Sequence, residues 1–272
     1  VRAWLELVRA PAALSVPGDT MAGAAAAGRA ASPARALSSV LLYWAGMALN
    51  DWSDRHADAV ERPERPIPSG RVAPNQALAV AAGLTCAGLL TAAAGDGRRG
   101  LALAGLLAGA VWAYDLRLKH TPAGPAAMAT CRLLDVMLGA GGSMKAAPAA
   151  LAIAAHTYGI SVLGRAEVKG ATPSTVAGAV AATATAAALT ALSRPSAAPL
   201  LAGYLGAALP SQAALRSDPG PDHVRQAVRH GIMALIPLQA ATVAGHGRPV
   251  QAAALLATGP AGGLLSRRMA TS

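Results

Sequence analysis

Phenylalanine is absent from this 272-residue chain, and four Trp and four Tyr are its only aromatic side chains beside histidine. Charge is scarce as well. Asp, Glu, Lys and Arg make up 13%, where a soluble domain carries roughly a quarter. That shortage, with a mean hydropathy of +0.41, argues for lipid rather than water as the solvent of the fold. Two cysteines, Cys86 and Cys131, lie far apart in apolar stretches and form no CxxC. They read as small buried hydrophobes, so neither a thiolate zinc site nor a redox pair is indicated. The net charge is +10, yet no dense Lys/Arg run with interleaved aromatics occurs, which argues against nucleic acid as a partner. Val/Ile/aromatic alternation is lacking, which argues against a β-barrel. No cleavable signal peptide stands out, since residues 1–9 are mixed polar and lead into a full-length apolar stretch.

What fills the chain is alanine and glycine, in apolar segments close to the ~20 residues needed to cross a ~30 Å hydrocarbon core. They run over 10–28, 35–53, 74–94, 98–115, 123–143, 147–166, 173–193, 197–216, 223–245 and 249–266. Small residues suit close helix packing in a bilayer, although a GC-rich genome would also favour them. The segments are joined by turn signals such as SPAR (32–35), GDGRRG (95–100), SRPS (193–196) and SDPGPD (217–222). The expected architecture is an all-α, polytopic membrane bundle of nine or ten transmembrane helices, one domain over 1–272. With the N-terminus placed inside, the even-numbered loops and both termini hold 15 Lys/Arg, the odd loops hold 7, and Arg132 falls within a span. Lys/Arg excess marks the cytoplasmic side. The expected location is therefore a cell membrane, with the even loops facing the cytoplasm.

The acids gather on that same side. Residues 50–58 read NDWSDRHAD. Asp51, Asp54 and Asp58 are spaced i, i+3, i+7 and share one face of a helix. Asn50 neighbours Asp54 at i, i+4. Like charges on one face repel, and a hard cation resolves the conflict. Mg²⁺ takes carboxylate and amide oxygens while keeping waters for a phosphate ligand. The plainer alternative is a solvated helix end with Arg55 and Arg62 as ion partners. The next stretch, ERPERPIPSGR at 61–71, sets Arg62, Arg65 and Arg71 in a proline-stiffened loop, and guanidinium groups suit phosphate oxygens. Within the fifth segment Arg132 and Asp135 stand at i, i+3 among apolar neighbours. Such charges are functional or pair with each other.

NDWSDRHAD followed by RPIPSGR resembles the first aspartate-rich motif of the UbiA superfamily of intramembrane prenyltransferases, NDxxDxxxD followed by RPxPSG. The matching residues are Asn50, Asp51, Asp54 and Asp58, then Arg65, Pro66, Pro68, Ser69 and Gly70. YDLRLKHTPAG at 114–124 resembles the family's YxxxK element, with the gap from Tyr114 to Lys119 one residue longer. The third element departs from the family's second acidic motif, DxxxD. GRAEVKGATPS at 164–174 holds only Glu167, flanked by Arg165 and Lys169. It is similar to the Arg-x-Glu of a related branch, the EboC-like proteins.

The resemblance implies Mg²⁺ bound by Asn50, Asp51, Asp54, Asp58 and Glu167, and an isoprenyl diphosphate held by Arg62, Arg65, Lys119, Arg132, Arg165 and Lys169. Asp51, Asp54, Asp58 and Lys119 would carry catalysis: ionisation of an allylic diphosphate, with the leaving group stabilised electrostatically. Trp44, Tyr114 and Tyr158 would flank the carbocation, as aromatic faces attract cations; Trp and Tyr also serve as interfacial anchors. The acceptor, small and aromatic in one version, is not readable. With no acceptor, the same ionisation would make a terpene cyclase. A membrane transporter is the non-enzymatic alternative, for which inverted repeats are the expected sign. None is visible.

Overall fold

Prolines punctuate the helices. Pro33, Pro74, Pro173 and Pro221 each stand at a first helical turn, where the missing N–H costs nothing and the fixed φ is already helical. Two of these starts are capped as well. Ser32 Oγ accepts from the Arg35 amide at 3.4 Å, and Thr172 Oγ1 from the Thr175 amide at 3.2 Å. The computed structural model describes residues 2–9 and 16–258. Among them, all regular structure is helical: α1 (Arg2–Leu7), α2 (Pro17–Ala26), α3 (Pro33–Ser53), α4 (Arg55–Glu61), α5 (Pro74–Ala113), α6 (Gly124–Gly139), α7 (Ala147–Gly164), α8 (Pro173–Ser193), α9 (Ala198–Ala214), α10 (Pro221–Gly245) and α11 (Pro249–Thr258).

The expected boundary between the third and fourth segments falls inside α5. Asp96 and Gly97 leave helical geometry there, with Gly97 at φ 60°, a conformation open to glycine. The Trp112 indole N–H reaches Thr85 Oγ1 at 3.1 Å, so the two limbs of α5 lie antiparallel. Asp96 is fixed by Arg35 through two contacts of 2.6 Å, with Arg29 at 3.7 Å.

The all-helical class is as expected, and the count of nine or ten crossings is not confirmed. Among the described residues four stretches are long and apolar enough to cross a membrane: Pro74–Leu118, which holds both limbs of α5, Met144–Gly164, Pro173–Ser193 and Pro221–Gly245. α2, α6 and α9 have 10, 16 and 17 residues, shorter than the expected segments because glycine-bearing turns and prolines end them. Residues 10–15 of the first expected segment and 259–266 of the tenth lie outside the described residues.

Small residues let the helices touch backbone to backbone. A Cβ at Gly23 would stand 1.9 Å from the Val136 carbonyl oxygen, and one at Gly139 would stand 2.2 Å from that of Thr20. α2 and α6 therefore pack without intervening side chains. α3 lies along α5, α7 along α8, and α9 along α10, while α2 is held against α6 and α10.

Side-chain and backbone contacts gather the expected same-side loops at one end. Arg71 pairs with Glu6 at 2.6 Å, Arg9 with Asp51 at 3.2 Å, and Lys119 with Asp54 at 2.7 Å. Arg165 donates to the Thr121 carbonyl, and Arg225 to that of Glu167 at 3.1 Å. The other loops meet at the opposite end, where Arg99 donates to the Gly142 carbonyl at 3.1 Å.

Candidate functional site

α3 and α4 are almost one helix. Asp54 breaks the dihedral pattern at φ −89°, ψ 0°. The backbone bonds Asp54 N to Asn50 O (3.0 Å) and Asp58 N to Asp54 O (2.8 Å) nevertheless carry the helical register through. The three aspartates are presented together as their spacing implies, with a bend at the middle one.

Each carboxylate is met by a cation. Arg65 Nη1 lies 3.3 Å from Asp51 Oδ1 and 2.7 Å from Asp58 Oδ2, so one guanidinium from the RPIPSGR loop spans both acids. Arg9 adds a contact to Asp51 at 3.2 Å. Lys119 Nζ reaches Asp54 Oδ1 and Ser53 Oγ, both at 2.7 Å, and His120 Nε2 is 3.4 Å from Asp54. Asn50 Nδ2 donates to Asp115 Oδ1 at 3.0 Å. Asp51, Asp58 and Asp115 are buried. Four carboxylates thus face three permanent cations, Arg9, Arg65 and Lys119.

The extra residue between Tyr114 and Lys119 has a structural answer. Tyr114–Leu118 form a π-helical turn, and the Lys119 amide bonds to the Tyr114 carbonyl, five residues back, at 2.9 Å. A π-turn accommodates one additional residue within a helix and is frequent at functional sites. Lys119 therefore returns to the acid cluster despite the longer gap.

Other expected residues are placed less centrally. Arg165 leans on the Thr121 carbonyl and so borders the Lys119 loop. Lys169 and Arg62 are exposed at the same end, and Glu167 is half-buried in the turn after α7. Trp44 lies half-buried on α3, and its indole N–H has no partner among the described residues. Tyr158 is 46% exposed on α7, and no ring or hydrogen-bond contact joins it to the acids. Arg132 does not pair with Asp135. Its Nε lies 3.0 Å from Asp19 Oδ2 in the bundle interior, while Asp135 accepts from Ser39 Oγ at 2.8 Å. The i, i+3 spacing suggested a local pair, but α2 supplies the closer partner. Arg71 is used structurally, binding Glu6 and the Glu64 carbonyl, each at 2.6 Å.

Arg9, Ser53, Asp115 and His120 complete the cluster without having been singled out as site residues. Asp115 adjoins Tyr114 and could have been suspected as an acid at the end of an apolar segment. Nothing local marks Arg9 or Ser53.

The donor set fits Mg²⁺. It consists of hard oxygens, and Mg²⁺ needs only one or two carboxylates beside waters and phosphate. No three Asp, Glu, His or Cys side chains among the described residues close into a cage around one point. The acids are instead spread over Arg65, Lys119 and Arg9, an arrangement that leaves oxygens to share with a phosphate-bound ion.

Residues 19–262 match the pattern of the UbiA prenyltransferase family, and the chain belongs to that family. A digeranylgeranylglyceryl phosphate synthase of Methanopyrus kandleri is 41% identical over 128 residues, covering 45% of this chain and 46% of the relative. The bacteriochlorophyll synthase 33 kDa chain of Cereibacter sphaeroides is 38% identical over 100 residues, covering 35% and 32%. The chain thus spans less than half the length of these curated relatives. Among solved structures, a UbiA homologue from Aeropyrum pernix superposes with a TM-score of 0.69 at 18% identity, over 86% of this chain and 97% of the other. A UbiA homologue from Archaeoglobus fulgidus bound to GPP and Mg²⁺ gives 0.52 at 14% identity, over 94% and 99%. At such identities these likenesses speak for the fold.

Proposed function

We propose that the acid–cation cluster ionises an allylic prenyl diphosphate in the presence of Mg²⁺ and passes the prenyl group to the hydroxyl of a small, phosphate-bearing alcohol. The observation that carries this reading is the convergence of Asn50, Asp51, Asp54, Asp58 and Asp115 with Arg9, Arg65 and Lys119 at one end of an apolar bundle. The carbon–oxygen bond breaks with its electron pair leaving on the diphosphate. The acceptor oxygen then bonds to the allylic carbon and releases its proton to solvent.

Charge counting supports a metal requirement. Four carboxylates against three cations leave a net negative site, and a diphosphate would add further negative charge. Bound Mg²⁺ supplies the counter-charge and stabilises the leaving group. Lys119, Arg65 and Arg9 would donate to phosphate oxygens, and Asp115 would hold Asn50 so that its carbonyl oxygen faces the metal side.

A phosphate-bearing acceptor accords with cations left over at the same end. Arg62, Arg165 and Lys169 have no acid partner among the described residues, and the phosphorylated glycerol named in several relatives is the chemistry they fit. The relatives are named for prenylated products, which favours transfer over cyclisation.

The test incubates the purified protein with geranyl, farnesyl or geranylgeranyl diphosphate and Mg²⁺, with and without a phosphoglycerol acceptor, followed by mass spectrometry. A prenyl ether formed only with Mg²⁺, and lost in Asp51→Asn and Asp54→Asn, is expected. A cyclic hydrocarbon without acceptor would select cyclisation. Equal diphosphate release by wild type and both variants would rule the proposal out.

A further inference from the structure

At the end of the bundle opposite the acids, a cleft opens between the start of α7 and the ends of α8 and α10. It is lined by Lys145, Pro148, Thr190, Arg194 and His246, among others. No carboxylate borders it. Among the described residues neither Lys145 nor Arg194 has an ion-pair or hydrogen-bond partner for its side chain. All 13 Asp and Glu of the sequence lie within the described residues, so no further side-chain carboxylate is left to pair with them. The single acid at this end, Asp96, is taken by Arg35 and Arg29.

The arginine is seated rather than loose. Its Cβ would stand 2.9 Å from a Cβ added at Gly245, so the stem of Arg194 lies directly on the α10 backbone. His246 Nδ1 faces the Thr242 carbonyl at 2.8 Å, leaving Nε2 as the ring's open nitrogen. Burial first, then the charges of Arg194 and Arg248, keep His246 below its ordinary value, so several positive groups already share one field. The carboxyl ends of α8 and α10 offset about half a charge each, and the amino end of α7 adds about half a charge back. About one and a half positive charges from Lys145 and Arg194 therefore stand uncompensated around the cleft.

We propose that this cleft binds a phosphate-bearing anion, held between Lys145 and Arg194. A phosphate offers the multiple acceptor oxygens that an ammonium and a guanidinium can share. The phosphate of an anionic phospholipid and free inorganic phosphate share this binding chemistry.

The test uses the full-length protein in neutral detergent. Its thermal midpoint and native mass spectrum are recorded with added phosphatidylglycerol, phosphatidylcholine or inorganic phosphate, for wild type, Lys145→Gln, Arg194→Gln and Arg98→Gln. Arg98 is an exposed basic residue of the same end, outside the cleft. Retained phosphatidylglycerol and a raised midpoint are expected, with apparent affinity falling about tenfold or more in the two cleft variants and unchanged in Arg98→Gln. An equal effect of inorganic phosphate would identify the free ion as the ligand. No shift with either anion would overturn the proposal, as would an equal loss in Arg98→Gln, which would mean diffuse attraction. Because both cleft side chains are exposed, their midpoints without ligand should match wild type.

Discussion

Asp115 illustrates how much of this site depends on partners remote in sequence. It is buried, it accepts from Asn50 across 65 residues, and it stands 4.0 Å from Lys119. Removing it would free the Asn50 amide to rotate away from the metal side. Loss of such a supporting bond costs roughly 10–100-fold in metal affinity. We predict that fall for Asp115→Leu in a Mg²⁺ titration of diphosphate release, and a smaller one for Asp115→Asn, which keeps an acceptor for Asn50. Arg132 gives the opposite pattern. It pairs with the fully buried Asp19, and breaking a buried pair from one side costs about 3–5 kcal/mol. Arg132→Met should lower the thermal midpoint sharply while KM for prenyl diphosphate in the folded fraction stays the same. A raised KM with normal stability would return Arg132 to the substrate site. The motif acids were legible because their spacing is local. Arg9 and Ser53 were not, since their partners Asp51 and Lys119 lie 42 and 66 residues away.

The π-turn after α5 is a matter of register within one element. Each residue turns an α-helix by about 100°, so one extra residue in a regular helix would carry Lys119 off the face it needs. The π-turn absorbs it. Deleting Leu116, an exposed residue, should restore an ordinary α-turn and leave Lys119 facing Asp54, with Mg²⁺-dependent turnover retained. Inserting one alanine after Leu116 should swing Lys119 away and abolish turnover. Similar losses in both would show that register is not what the turn protects. The N-terminal helix makes a second point at this scale. α1 is tied to the RPIPSGR loop by Glu6 and Arg71. The Arg71 bond, partly offset by burial and assisted by Arg2, lowers the Glu6 pKa from 4.5. A carboxylate shifted down contributes above its unfolded pKa and loses that contribution as pH falls through the folded value. The protection factors of the amides in 64–72 should therefore hold from neutral pH down to the unfolded value of 4.5 and fall only at more acid pH; Glu6→Gln should show the lower protection throughout. The breaks between helices were readable from turn signals such as SPAR and SDPGPD, whereas the π-turn was not, because no propensity distinguishes it from an α-turn.

At the scale of the whole molecule, the loop-charge bias and the contacts agree on which loops share an end. The sequence alone could group them, because Lys and Arg concentrate in alternate loops. It could not show that those loops touch, which needs the long-range bonds from Arg9, Arg71, Lys119, Arg165 and Arg225. Nor could it reveal the cleft at Lys145 and Arg194, since an unpaired cation is recognisable only once every acid has been placed. Both ends are basic, and the difference between them lies in the acids: one end carries the aspartate cluster, the other only Asp96. An excess of Lys and Arg sets orientation while Asp and Glu contribute little, so the end that gathers the Lys/Arg-richer even-numbered loops should face the cytoplasm. Exposed sites at the two ends report this directly. Glu61 lies on α4 beside the aspartates, and Ser196 lies in the turn before α9. In a background with Cys86 and Cys131 replaced by serine, Glu61→Cys should resist a membrane-impermeant maleimide in intact cells and react after permeabilisation, whereas Ser196→Cys should react in both. The reverse pattern would put the diphosphate site on the outer face, away from the nucleotide-driven metabolism that makes prenyl diphosphates, and the proposed reaction would then lack its substrate.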